Sequence, residues 1–227
     1  MWVALALSSL IVAYNNLVNR WGPFHGPAYV PLNVIFTGSI VLLATARLGL
    51  SRTDLGLHGG LVDAGIALTA TALFGVGALA LARSRHAHRI ADKRVTGLRR
   101  AQLAYYVLAR IPIGTAVAEE VLFRGVLFAV WRDAGVSPLG AALCASFAFG
   151  LWHVSPTILG VRINDPDPST HKLQMAVAGA VLATAIAGLA LTWVRLRSGG
   201  LLAPVMLHGG INSVSALAAV VASRRTS

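Results

Sequence analysis

Long apolar stretches alternate with short polar ones along all 227 residues. About 20 consecutive apolar residues are needed to span a hydrocarbon core of about 30 Å, and seven stretches approach that length: 2–19, 28–46, 60–82, 113–131, 138–155, 173–194 and 200–222. None shows the alternation over about ten residues that marks a barrel strand. The pattern therefore predicts an all-α, polytopic transmembrane bundle of about seven to eight helices. Residues 101–131 are too long for one simple crossing, and Pro112 followed by Gly114 marks a place for a kink or a break. The lead-in 101–112, with Tyr105, Tyr106 and Arg110, reads equally as an interfacial or re-entrant piece or as the start of one long tilted helix.

Composition strengthens this reading. Hydrophobic residues make up 56% of the chain and charged ones 12%, against about 25% charged in a soluble domain, and the mean hydropathy is +0.71. A net charge of +11 would suit nucleic acid, but the basic residues fall between apolar runs, where they mark loops and anionic lipid surfaces; no nucleic-acid partner is expected. The block 83–100 holds seven of them, Arg83, Arg85, Arg89, Lys93, Arg94, Arg99 and Arg100, and is expected to anchor to anionic lipid. Seven crossings put these with Arg20, Arg162, Lys172, Arg224 and Arg225 on one side, twelve basic residues against five (Arg47, Arg52, Arg132, Arg195, Arg197) on the other. The richer side is expected in the cytoplasm, with the N-terminus outside and the C-terminus inside, unless an extra segment near 101–112 reverses the parity. No removable signal peptide is expected, since Met1 opens an apolar stretch without a positive n-region. Cys144 stands alone and forms no internal disulfide. The chain reads as one integrated domain, with N-terminal helices and a basic loop over 1–100 and a chemically active core over 101–223, in a bacterial plasma membrane.

The polar residues inside apolar runs carry the chemistry. An ionised side chain at bilayer depth costs roughly 2.5–3.5 kcal/mol on insertion scales, so Glu119, Glu120 and Arg124 in one apolar stretch demand a use or a partner. Residues four apart share a helix face; Glu120 and Arg124, Phe149 and His153, and His208 and Asn212 are such pairs. Glu119 lies about 100° round the helix from Glu120, so the two carboxylates can do different jobs. The simplest division makes Glu120 and Arg124 a structural ion pair and leaves Glu119 for proton transfer. His153 can help hold and deprotonate the same water, while His208 and Asn212 can donate hydrogen bonds to an oxygen that becomes negative as a peptide carbonyl is attacked. At about 1.5 Å per residue all four fall near the midplane or in the cytoplasmic half, so they can converge. On bare chemistry Glu119, His153 and His208 could also bind a divalent metal such as zinc through two nitrogens and one carboxylate, though no HExxH pattern supports it. Trp152 beside His153 either shapes the pocket or packs against lipid, with packing favoured; Asn15 and Asn16 are expected to be interfacial or solvated, and Asp165 and Asp167 to form a solvated turn in preference to a cation site.

These motifs have a family resemblance. AEEVLFRGVLF (118–128) resembles the EExxxR motif of the CAAX protease and bacteriocin-processing family of intramembrane proteases, related to the type II CAAX prenyl endopeptidases; Phe149 to His153 resembles its FxxxH motif and His208 to Asn212 its HxxxN motif, in family order. DLGL (54–57) also looks like a loop found upstream in that family. The resemblance covers about 119–213 and implies a helical core with a cavity open to membrane and cytosol. Glu119 and His153 would activate water, His208 and Asn212 would stabilise the oxyanion, and Glu120, Arg124 and Phe149 would support them. Members have been discussed both as metalloproteases and as metal-independent glutamate proteases, so the resemblance leaves a metal open. It further implies an endopeptidase acting on a membrane-associated protein or peptide. Two other readings compete: a proton-coupled transporter using the same residues as a relay, and a non-catalytic membrane protein giving immunity to a bacteriocin.

Overall fold

A computed structural model describes residues 1–18, 26–58 and 61–226. It is an all-α polytopic bundle, with no strand among the described residues. The helices are α1 (Trp2–Val18), α2 (Tyr29–Leu48), α3 (Leu61–Arg83), the short α4 (Lys93–Thr96), α5 (Arg100–Tyr105), α6 (Phe128–Asp133), α7 (Pro138–Trp152), α8 (Val154–Asn164), α9 (Thr170–Ser198) and α10 (Leu202–Thr226). Wide π-helical turns, Tyr106–Val117 and Glu120–Leu127, join α5 to α6.

Local signals set the boundaries. Ser137 caps α7 by accepting the Gly140 N–H, with Pro138 in the first turn, and Ser169 caps α9 by accepting the Lys172 N–H. Gly49 and Gly199 end α2 and α9 in the left-handed region, at φ 67° and 73°.

Five helical runs are long and apolar enough to cross a membrane: 29–48, 63–83, 138–164, 170–198 and 202–225. The seven stretches seen in the sequence thus divide unequally. α1 is a shorter apolar helix, and the stretch 113–131 belongs to a continuous helical run from Arg100 to Asp133. Pro112 does not break that run. It lacks the N–H an α-helix would use, and the backbone widens into π turns around it. Arg20 lies outside the described residues.

Close helix contacts rest on small residues. A Cβ at Gly150 of α7 would stand 2.6 Å from the Val181 carbonyl of α9, and one at Gly210 of α10 2.5 Å from Thr71 of α3; backbones approach this closely only without side chains. The main core gathers α1, α2, the π-helical segment 120–127, α6 and α7, with Tyr14 stacked on Phe36 at 3.6 Å between ring centroids.

The loop after α2 closes one end of this core. Leu55 is wholly buried, the Asp54 carbonyl accepts Arg195 Nη2 at 2.5 Å, and the Gly56 carbonyl accepts the Leu201 N–H at 2.9 Å. Gly56 has φ 67°, and a Cβ there would meet Arg195 Nε at 2.9 Å. At the other end the basic segment after α3 is tied down: Arg225 donates to the Arg83 carbonyl, Lys93 to the Asn164 carbonyl, and Asp92 accepts from both Arg94 and Asn164. Asp165 pairs with Lys172 at 2.6 Å on the surface.

Gly150→Ala should lower the thermal midpoint in detergent, consistent with an overpacking cost of about 1–3 kcal/mol. Gly179→Ala, where nothing stands within 4 Å, should leave it unchanged or raise it by the helix preference for alanine.

Candidate active site

Two carboxylates and a guanidinium are sealed inside the bundle: Glu119 is 4% exposed, Glu120 0% and Arg124 1%. Glu120 and Arg124 form the ion pair the spacing predicts, Nη1 to Oε1 at 3.0 Å. The guanidinium also lies 4.0 Å above the Phe149 ring, which gives its charge a second, π-type partner. Phe149 does more than its place in a motif suggests. Its ring meets His153 and His208 edge-on, at 4.7 and 6.0 Å between centroids, and so sits under three polar side chains at once.

His208 bridges the glutamates. Its Nδ1 lies 2.7 Å from Glu120 Oε1, and its Nε2 lies 3.8 Å from Glu119 Oε2. With Glu120 ionised against Arg124, Nδ1 donates, and Nε2 turns toward Glu119 and the cavity. Glu120 is therefore not only an anchor for its own helix but also the group that orients His208, a role its sequence spacing did not indicate.

Glu119 is held from another side. Trp152 Nε1–H donates to Glu119 Oε1 at 3.0 Å, and the indole is buried, edge-on to Phe123 at 5.3 Å. The expectation that Trp152 packs against lipid is thus corrected: next to a helix break, its ring turns inward to meet a carboxylate. Glu119 Oε2 is buried with no hydrogen-bond partner among the described residues, which leaves a strong acceptor facing His208.

His153 stands where α7 ends and α8 begins, at φ −88° and ψ 2°. Its own N–H bonds back to the Gly150 carbonyl at 3.0 Å, one residue short of the helical partner. The Phe149 carbonyl is thereby freed, and His153 Nδ1 donates to it at 2.7 Å. A carbonyl only accepts, so this bond places the proton on Nδ1 and leaves Nε2 as the basic nitrogen.

Three cavities meet at this histidine, one of them, about 480 Å³, running along α8 past Pro156 and Gly160. Of the other two, the larger, about 970 Å³, lies among α3, α9 and α10 and reaches Phe149, His153, His208 and Asn212. The smaller, about 300 Å³, is lined by Glu119, Trp152 and His153, with Tyr106, Arg110 and Arg94. Asn212 lies one turn beyond His208 in the wall of the larger cavity. Tyr106 and Arg110, expected near a membrane interface, line the smaller one, with Arg110 4.2 Å above the Tyr29 ring. Among the described residues no group of three His, Cys, Asp or Glu side chains is arranged to hold a metal ion.

The family model described as Type II CAAX prenyl endopeptidase Rce1-like matches residues 101–214, half of the chain. It covers all seven residues of the three motifs and none of α1, α2 or α3. No curated protein and no solved structure matches the chain.

Arg124→Met should destabilise the protein by about 3–5 kcal/mol, because it leaves the Glu120 charge buried without its counter-ion. The double variant Glu120→Gln with Arg124→Met should recover most of that loss, as followed by denaturation in detergent micelles.

Proposed function

Because the chain belongs to the Rce1-like type II CAAX prenyl endopeptidase family, we propose that it is an intramembrane endopeptidase in which Glu119 and His153 activate water and His208 with Asn212 stabilise the oxyanion. The observation that carries the reading is Glu119 itself. One oxygen is fixed by the Trp152 N–H, and the other is buried and free to accept, 3.8 Å from His208 Nε2, beside a cavity that also exposes His153.

A water seated at Glu119 Oε2 gives one proton to that carboxylate while its oxygen bonds to the scissile carbonyl carbon. His153 Nε2 accepts a hydrogen bond from the same water and holds its lone pair toward the carbonyl. The carbonyl π pair moves onto oxygen. When His208 Nε2 carries a proton it offers that N–H to the oxyanion, and the Asn212 amide offers a second. Collapse re-forms the carbonyl, breaks the C–N bond and returns the proton from Glu119 to the leaving nitrogen. No protein nucleophile enters the sequence.

The substrate is a membrane-associated protein or peptide. The larger cavity, walled by Phe74, Leu81, Ala187 and Leu191 among others, suits an apolar segment delivered from the bilayer. The basic segment 83–100 is taken to rest on anionic headgroups at one end of the bundle, and a bacterial plasma membrane is the proposed setting.

Glu119→Gln should abolish turnover while the protein remains inserted and folded. Membrane peptidomes of cells carrying the wild type and this variant should differ in peptides whose release needs Glu119; wild-type cleavage by the purified variant would sink the mechanism. Trp152→Phe keeps an aromatic ring, though a smaller one, and removes the N–H. A hydrogen bond to a charged group contributes about 1.5–3 kcal/mol, so turnover should drop about ten- to a hundredfold at unchanged fold.

A further inference from the structure

The break that carries His153 is held open from outside the region the family model covers. In an uninterrupted helix the Ser155 N–H would bond to the Leu151 carbonyl, and the residue at 156 would bond to the Trp152 carbonyl. Pro156 has no N–H, so the second bond cannot form. The first is replaced by a side chain. Asn16 of α1 inserts its amide between the two groups: Nδ2 donates to the Leu151 carbonyl at 2.9 Å, and Oδ1 accepts the Ser155 N–H at 2.8 Å. Asn15 Nδ2 donates to the stranded Trp152 carbonyl at 2.7 Å, and the Ser155 hydroxyl donates to the Asn16 carbonyl at 2.9 Å. Four bonds from two consecutive residues thus replace the lost helical pairing.

We propose that Asn15 and Asn16 are positioning residues for His153. This rests on the catalytic reading of His153 given above. The link is the backbone register. With the ladder wedged at 151–155, the His153 N–H pairs with Gly150, and the Phe149 carbonyl is left to take the imidazole Nδ1–H. Without Asn16, the Ser155 N–H can close on the Leu151 carbonyl again. The turn then tightens, the His153 N–H returns toward the Phe149 carbonyl, and the imidazole loses the bond that fixes its proton on Nδ1. Asn16→Ala therefore acts on the histidine more than on stability, because a regained helical bond offsets the lost ones.

The test uses the full-length protein in micelles, an internally quenched farnesylated CAAX peptide as probe, and the rate of His153 carbethoxylation read by mass spectrometry. Asn16→Ala should lower kcat at least tenfold with KM within twofold, and should speed His153 modification at least threefold as Nδ1 is released. Ser155→Ala, which removes only the hydroxyl, should shift both quantities the same way by a smaller factor and serves if Asn16→Ala does not insert. Leu7→Ala weakens α1 packing from a buried position without touching the bracket, and should leave both quantities unchanged per folded molecule. Wild-type His153 reactivity in Asn16→Ala and Ser155→Ala, or equal changes in Leu7→Ala, overturns the proposal. If Glu119→Gln still cleaves the probe, or the wild type does not cleave it, the modification rate alone decides the bracket, so the two readings fail separately.

Discussion

Everything in this molecule answers to the burial of Glu119, Glu120 and Arg124 within one apolar helical run. Two negative charges and one positive charge cannot be matched by the run alone, and in a medium without water each unmatched group costs several kcal/mol. The surrounding helices supply what is missing. Arg124 takes Glu120 and the Phe149 face, His208 from α10 takes the same carboxylate, and Trp152 from α7 takes Glu119. Three atoms of the cluster, Glu119 Oε2, Glu120 Oε2 and Arg124 Nη2, stay without a hydrogen-bond partner among the described residues. Each of the three groups thus keeps one polar atom unpaired, and among the two glutamates it is Glu119 that lines a cavity.

That constraint also explains why neighbouring residues divide their labour. Glu120 is spoken for twice, by Arg124 and by His208, and its oxygen between them is an internal hinge pin more than a reagent. Glu119, one residue earlier, meets only single-point contacts and lines the smaller cavity. His153 and His208 differ in the same way: one gives its Nδ1–H to a neutral carbonyl, the other to a carboxylate. Two imidazoles of identical composition thereby sit in different electrostatic settings.

Much of this was legible in the sequence, and what was not has a physical reason. Helix identity came from apolar length, and the three pairs four residues apart came from helix periodicity; the structure brings Glu120 to Arg124 and Phe149 to His153 as periodicity requires. Trp152 was misread because an aromatic in an apolar run carries no local sign of which way it faces; only the turn at His153 aims it inward. Asn15 and Asn16 were misread because their partners lie more than 130 residues away, a separation no periodicity bridges. One signal was available. Pro156 leaves the Trp152 carbonyl without a helical donor, so some polar side chain had to be found for it. Likewise Pro112 left a break and one long helix equally open, and the backbone stays continuous by widening into π turns.

The clasp formed by Leu55, Gly56 and Arg195 has a mechanical consequence beyond closing one end of the bundle. The Leu55 carbonyl lies 3.1 Å from where a side chain at Gly125 would begin, and Gly125 directly follows the arginine that neutralises Glu120. The loop therefore bears on the far side of the charged segment like a wedge behind a keystone. Bulk introduced at position 125, or at position 56 beneath Arg195, would be transmitted as thrust along that segment, so glycine at both places keeps the loop seated directly against the run that carries the buried carboxylates.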